Sequence, residues 1–183
     1  NCTFNINDFQ EVKQKVLNWI QQFNTFCFLD NHQYQIEPHA VECLLAAGVK
    51  RFVKADAENA LERLQGFIAS RSDGDRQTGS WFFGHLGYDL KNEMEKLSSL
   101  HPDRIQFPGL FFFEPEIVIR FNEKEMNIDA ANPEEIFTAI NAITLPVSPE
   151  MKRVSIQNRV SKREYIQIVE RLKQHILRGD CYE

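Results

Sequence analysis

Apolar residues recur at helical spacing in four stretches of the chain. Phe9, Val12, Val16, Trp19, Ile20 and Phe23 follow Asp8, a predicted N-cap with Glu11 completing a capping box. Ala57, Ala60, Leu61, Leu64, Phe67 and Ile68 share one face of a helix predicted to begin at Asp56. Asn132-Pro133-Glu134-Glu135 places a cap, a first-turn proline and two acids before Ile136, Phe137, Ile140 and Ile143. Ser161-Lys162-Arg163-Glu164 is a second capping box. The stripe Tyr165, Ile168, Val169, Leu172 and Ile176 follows, and Gly179 ends the helix after Lys173, His175 and Arg178. A shorter helix is expected near residues 88–97.

Between these helices the pattern changes to short aromatic and β-branched runs. Strands are predicted at Thr25–Leu29, Val41–Ala46, Arg51–Lys54, Trp81–Leu86, Leu110–Glu114, Glu116–Phe121, Glu125–Asp129 and Arg153–Gln157. Val41–Ala46 and Arg51–Lys54 flank Gly48 and are expected to form a hairpin. Pro115 marks a bend or an edge, and Asn122-Glu123-Lys124 a tight turn. Consecutive strands with short turns predict an α+β fold of antiparallel sheets with helices outside. Ser70–Thr78 and Ser98–Pro108 read as loops. Leu145-Pro146-Val147-Ser148-Pro149 reads as a linker, dividing the chain into residues 1–145 and 146–183.

Composition narrows the function classes. The chain has 183 residues, 43% hydrophobic and 26% charged, which excludes a disordered or collagen-like chain. A net charge of −5 offers no basic field for nucleic acid. Fifteen Phe against four Tyr and two Trp predict a thick aromatic core. Cys2, Cys27, Cys43 and Cys181 form no C-x-x-C pair and read as reduced thiols. No apolar run approaches membrane-spanning length. The first residues lack the order of a secretory signal. The expected location is the cytoplasm, with no nucleic-acid or membrane partner.

Phosphate loops, dinucleotide fingerprints and nucleophile elbows are absent from the sequence. The five histidines are scattered, and Asp73-Gly74-Asp75 lacks the rest of a calcium loop. Two segments stand out. In Phe28-Leu29-Asp30-Asn31 a strand ends in a carboxylate and an amide, which either make a turn or meet a small ligand. In Gly79-Ser80-Trp81-Phe82-Phe83-Gly84-His85-Leu86-Gly87 three glycines imply close backbone approach, from packing or from a ligand. The closing helix presents an apolar stripe that needs a partner surface, and Asp180-Cys181-Tyr182-Glu183 reads as the start of another strand. The expectation is an amino-terminal part of a longer protein.

Three stretches together resemble one family. Phe83-Gly84-His85-Leu86-Gly87-Tyr88-Asp89-Leu90, with Glu93 and Glu95, is similar to a G-x-x-G-Y-[DE] segment of chorismate-utilising enzymes. These are the component I chains of anthranilate synthase and aminodeoxychorismate (para-aminobenzoate) synthase. Phe107-Pro108-Gly109-Leu110 through Glu114-Pro115-Glu116-Ile117-Val118-Ile119 resembles the stretch that follows. Ser161–Tyr165 through Ile176-Leu177-Arg178-Gly179-Asp180-Cys181-Tyr182-Glu183 resembles the helix and strand that open the chorismate-binding region.

The resemblance implies an α+β sandwich of antiparallel sheets in proteins more than twice this length. It places the catalytic and Mg²⁺-binding residues beyond Glu183, so no catalytic or metal residue is assigned here, and the 183-residue piece is expected to be inactive alone. It implies chorismate as substrate, a glutamine amidotransferase as ammonia-supplying partner, and tryptophan as a possible ligand near the amino terminus. Leu29, Asp30, Asn31 and Tyr34 are the candidate pocket residues. Asp30 and Asn31 stand where the family's L-L-E-S segment has glutamate and serine. That departure tilts the reading toward aminodeoxychorismate synthase component I over anthranilate synthase component I. The rival of another class is a stand-alone small-ligand-binding regulatory domain.

Overall fold

The computed structural model describes residues 1–32, 34, 42–56, 59–70, 81–95, 97, 104–145 and 155–182. The chain forms two compact units, residues 1–145 and residues 146–183.

In the first unit, β1 (Cys2–Asn5), β2 (Phe26–Asp30), β3 (Cys43–Ala47), β7 (Ile117–Phe121) and β8 (Glu125–Asp129) form an antiparallel sheet in the order β1-β8-β7-β3-β2. A second antiparallel sheet has the order β4-β6-β5, from β4 (Arg51–Ala55), β5 (Phe83–Leu86) and β6 (Leu110–Glu114). The helices are α1 (Phe9–Trp19), α2 (Ala60–Ala69), α3 (Lys91–Glu95) and α4 (Pro133–Asn141). The α+β expectation holds.

Side-chain alternation along the strands builds three layers of core. One face of the five-stranded sheet, with Cys43, Leu45, Ile119, Phe121, Met126 and Ile128, is buried with Phe9, Val12, Val16 and Trp19 of α1 and Ile140 of α4. Its other face sets Ala46 and Val118 against Phe83 and Phe113 of the three-stranded sheet. The far face of that second sheet, through Val53, Ala55 and Leu110, packs on Ala60 and Phe67 of α2. Phe121, Phe113, Phe83, Phe67 and Phe9 thus carry the aromatic core that the composition predicts.

The expected hairpin across Gly48 is not formed: β3 and β4 lie in different sheets. The same switch occurs across Pro115, between β6 and β7. β3 pairs with β7, and β4 with β6, so two bent strands run antiparallel from one sheet into the other. At the corner Gly48, Val49 and Lys50 face only Pro115 and Glu116. The extra residue is a bulge, which bends and twists a ribbon where it leaves a sheet. Gly48 supplies the positive φ of 73° that the corner requires.

Helix α1 starts as predicted, with the Asp8 carboxylate accepting from the Glu11 amide at 2.9 Å. Helix α2 starts at Ala60 rather than Asp56, because Asn59 takes a left-handed conformation with φ of 60°. Residues 57 and 58 lie outside the described residues. The shorter expected helix is a 3₁₀ turn, Tyr88–Leu90, running into α3. Asn122 makes the predicted turn: its carboxamide oxygen accepts from the Lys124 and Glu125 amides. Strand β1 has no counterpart among the sequence predictions. It forms on β8 and tucks Phe4 under α4, stacked on Phe137 at 4.1 Å between ring centroids.

In the second unit, α5 (Lys162–Arg178) has both halves of its capping box, Ser161 and Glu164, and Gly179 caps its end. Residues 155–157 are irregular, so the strand predicted at Arg153–Gln157 does not form there. Residues 153 and 154, the predicted loops at 71–78 and 98–103, and linker residues 146–149 lie outside the described residues. Among the described residues no helix is long and apolar enough to cross a membrane.

Candidate functional site

Leu29, Asp30, Asn31 and Tyr34 lie at the carboxyl end of β2, an edge strand that pairs with β3. Leu29 and Tyr34 are exposed. Asp30 is largely covered, with its side chain 13% exposed, and forms an ion pair with Lys13 of α1, itself 15% exposed. The Asp30 carboxylate also accepts from the His32 amide at 2.9 Å and lies 3.9 Å from the Cys43 thiol. Burial pushes the Asp30 carboxyl upward. The hydrogen bonds from Lys13 and the His32 amide, with the charges of Lys13 and His32, outweigh that and hold it below its ordinary value. Burial also pushes the Cys43 thiol up, there without such compensation, to about 12, and the Asp30 charge adds to the effect. Cys43 is therefore an inert thiol at neutral pH.

Asn31 closes a turn. Its Nδ2 donates to the Tyr34 carbonyl at 2.8 Å and to Glu42 Oε2 at 3.3 Å, and the Tyr34 amide donates to the Asn31 carbonyl at 3.0 Å. The structure therefore brings all four candidates to one strand end. The turn chemistry accounts for Asn31, and the ion pair with α1 engages Asp30.

The glycine-rich segment is a packing device. A Cβ on Gly84 would stand 2.0 Å from the Phe111 carbonyl oxygen and 2.7 Å from Phe112 Cα. Both obstacles are backbone, so β5 can lie against β6 only with glycine there. The Gly87 amide donates to the Gly109 carbonyl at 2.6 Å, and His85 Nε2 lies 2.9 Å from the Pro108 carbonyl. The His85 and Phe107 rings sit 4.4 Å apart. The segments around Phe83–Leu90 and Phe107–Glu116 therefore lock onto each other. Glu93 extends the arrangement: its carboxylate accepts from the Ala60 amide at 3.1 Å and caps α2, whose own N-cap residue Asn59 makes no side-chain bond. Gly79 and Ser80 lie outside the described residues.

Sequence reasoning missed a cluster at the corner of the bent ribbon. Arg51 Nε meets the buried Glu114 carboxylate at 2.6 Å, and Arg51 Nη1 donates to the Phe67 carbonyl at 2.9 Å and Ser70 Oγ at 2.8 Å. Its guanidinium lies 4.5 Å from the Phe67 ring centroid. Nothing in the sequence pairs residues so far apart; only their burial does. Beside the corner is an open cleft of about 660 Å³, lined in part by Lys50, Trp81, Glu116, Asp129 and Glu135. The four β2 candidates do not line it. Among the described residues no three His, Cys, Asp or Glu side chains gather to hold a metal.

The model of the chorismate binding enzyme family matches residues 24–183, which includes β2 through α5. The chain belongs to that family. Among curated proteins it is similar to anthranilate synthase component 1 of Thermus thermophilus, 32% identical over 113 residues. That match covers 55% of this chain and 24% of the relative. Anthranilate synthase component 1 of Buchnera aphidicola subsp. Pemphigus spyrothecae is 30% identical over 124 residues, 58% of this chain and 24% of the relative. A Synechocystis anthranilate synthase component I-like protein is 25% identical over 114 residues, 57% of this chain and 23% of its own length. The chain thus spans about a quarter of the length of the curated relatives it matches.

Proposed function

We propose that this chain is the scaffolding part of an aminodeoxychorismate synthase component I. The whole protein would replace the 4-hydroxyl of chorismate with an amino group, consuming ammonia and releasing water. A glutamine amidotransferase subunit would supply the ammonia, and Mg²⁺ would hold the carboxylates of the substrate. None of the residues described here is assigned as a Mg²⁺ ligand. In this reading the first unit supplies the layered sheets, and chemistry belongs to the rest of the protein.

Membership of the chorismate binding enzyme family supports the substrate class. The β2 end supports the finer choice. A feedback-regulated anthranilate synthase needs an open amino-acid pocket. Here Asp30 and Asn31 stand in place of the glutamate and serine, and their polar atoms are engaged inside the chain. Anthranilate synthase component I is the second reading, favoured by the names of the relatives.

The deciding experiment supplies the whole protein with chorismate, an ammonium salt and Mg²⁺, and identifies the product by mass spectrometry and chromatography. The expected product is 4-amino-4-deoxychorismate. Formation of anthranilate, the ortho-amino aromatic acid, with release of pyruvate would instead establish the second reading. The 183-residue chain alone is expected to turn over no chorismate.

A further inference from the structure

The open cleft beside the corner of the bent ribbon lies at the opposite end of the five-stranded sheet from Asp30. Ile117 and Val118 of β7 and Asp129 of β8 line it, whereas Asp30 pairs with Cys43, and Cys43 with Phe121, at the other end of those strands. At about 660 Å³ the cleft has the size of a small-molecule site. Trp81 also lines it. Its ring is stacked on the buried Phe83 at 6.0 Å between centroids, yet the residue stays 41% exposed. The indole is therefore braced from within the fold and open to a ligand.

Among the described residues four acids line the cleft, against one basic side chain, Lys50. Glu114 is matched by Arg51. Among the described residues Glu116, Asp129 and Glu135 have no basic side chain paired with them. Glu135 accepts from Asn132 Nδ2 at 3.0 Å. Glu116 lies over Gly48: a Cβ there would stand 2.5 Å from its Oε2, so the glycine that turns the corner also leaves room for the carboxylate. The acids do not gather at one point, for among the described residues no three could hold a metal ion together. Negative charge is spread along a cleft that also offers an aromatic face.

We propose that this cleft binds an aliphatic polyamine, with its ammonium groups on Glu116, Asp129 and Glu135 and one of them against the Trp81 ring. A compact, hydrated cation meets the separated carboxylates one at a time. A chain of ammonium groups meets several at once, and each contact after the first is intramolecular. Its methylenes can lie on Pro115 and Ile136, and its charge is attracted to the indole face. Lys50 opposes the ligand and so sets an upper limit on its affinity.

The test is calorimetric titration of spermidine into the whole protein at about 0.15 M salt, where loose surface charge is screened. The variants are Glu116→Gln with Asp129→Asn, Trp81→Leu, and Lys50→Gln. Circular dichroism confirms that each is folded, and Trp81→Met replaces Trp81→Leu if the latter is not. The parent is expected to bind saturably with a Kd below about 1 mM. Affinity should fall at least about fivefold in the acid double variant and at least about threefold in Trp81→Leu, and rise in Lys50→Gln. Absence of saturable heat from the parent overturns the proposal. So does undiminished affinity in the acid double variant or in Trp81→Leu, because spermidine then sits elsewhere. A magnesium salt that binds as tightly at matched ionic strength, with the same dependence on the acids, also overturns it, because a compact cation would then suffice.

Discussion

Asp30 shows how one side chain can serve two masters. The sequence places it at a strand end, where an aspartate either turns the chain or meets a ligand. In the fold it does the first through the His32 amide and gives its remaining oxygen to Lys13. Its lowered pKa makes that arrangement pH-dependent. A carboxylate whose folded pKa lies below its unfolded value stabilises the fold fully above the ordinary aspartate value of about 3.9. It loses that contribution as pH falls through the lower folded value. The urea midpoint of the parent chain should therefore exceed that of Lys13→Met at pH 7. The gap should shrink as pH falls below about 4. A gap that is unchanged at acid pH would mean that Lys13 stabilises through its stem alone.

At the scale of elements, the helices were legible because their signals are local. Asp8, Ser161, Pro133 and Gly179 act on amides and carbonyls within one turn of themselves, so spacing in the sequence is enough to find them. Helix α2 is the exception and shows the limit. Its start is fixed by Asn59 turning left-handed and by Glu93 capping Ala60 across 33 positions of sequence. No local pattern predicts that cap. Replacing Glu93 with alanine should cost about 1 kcal/mol. It should raise amide hydrogen exchange in the first turn of α2 and leave that of α1 unchanged. Strand β1 escaped notice for a related reason: four residues alternating inward and outward become a strand only because β8 offers an edge.

On the scale of the molecule, the bent ribbon is what organises the first unit. β3–β4 and β6–β7 each cross from one sheet to the other, and the extra residue at Gly48–Lys50 makes the corner. The Arg51–Glu114 pair fastens that corner to the end of α2, where the last carbonyls favour a cation. Removing Arg51 would strand a buried carboxylate. Arg51→Ala should destabilise the first unit by about 3 kcal/mol, read as a lower denaturant midpoint with an unchanged slope. The double variant Arg51→Met, Glu114→Leu should recover most of that loss, because two apolar side chains leave no unpaired charge behind.

The chain's periodicities, caps and turn residues determined most of the helices and strands, β1 and the unformed strand at residues 155–157 being the exceptions, and its motifs pointed to the family. They did so because hydrogen-bonding partners within four residues, and side-chain faces with a fixed repeat, are written into linear spacing. Which sheet each strand joins was decided only in three dimensions, as was the loss of the hairpin across Gly48. Both depend on contacts between distant segments, where Gly84 lets β5 close on β6 and Gly48 lets the ribbon turn. The same holds for the β2 end: the sequence supplied the carboxylate of Asp30, and packing of α1 supplied the lysine that covers it.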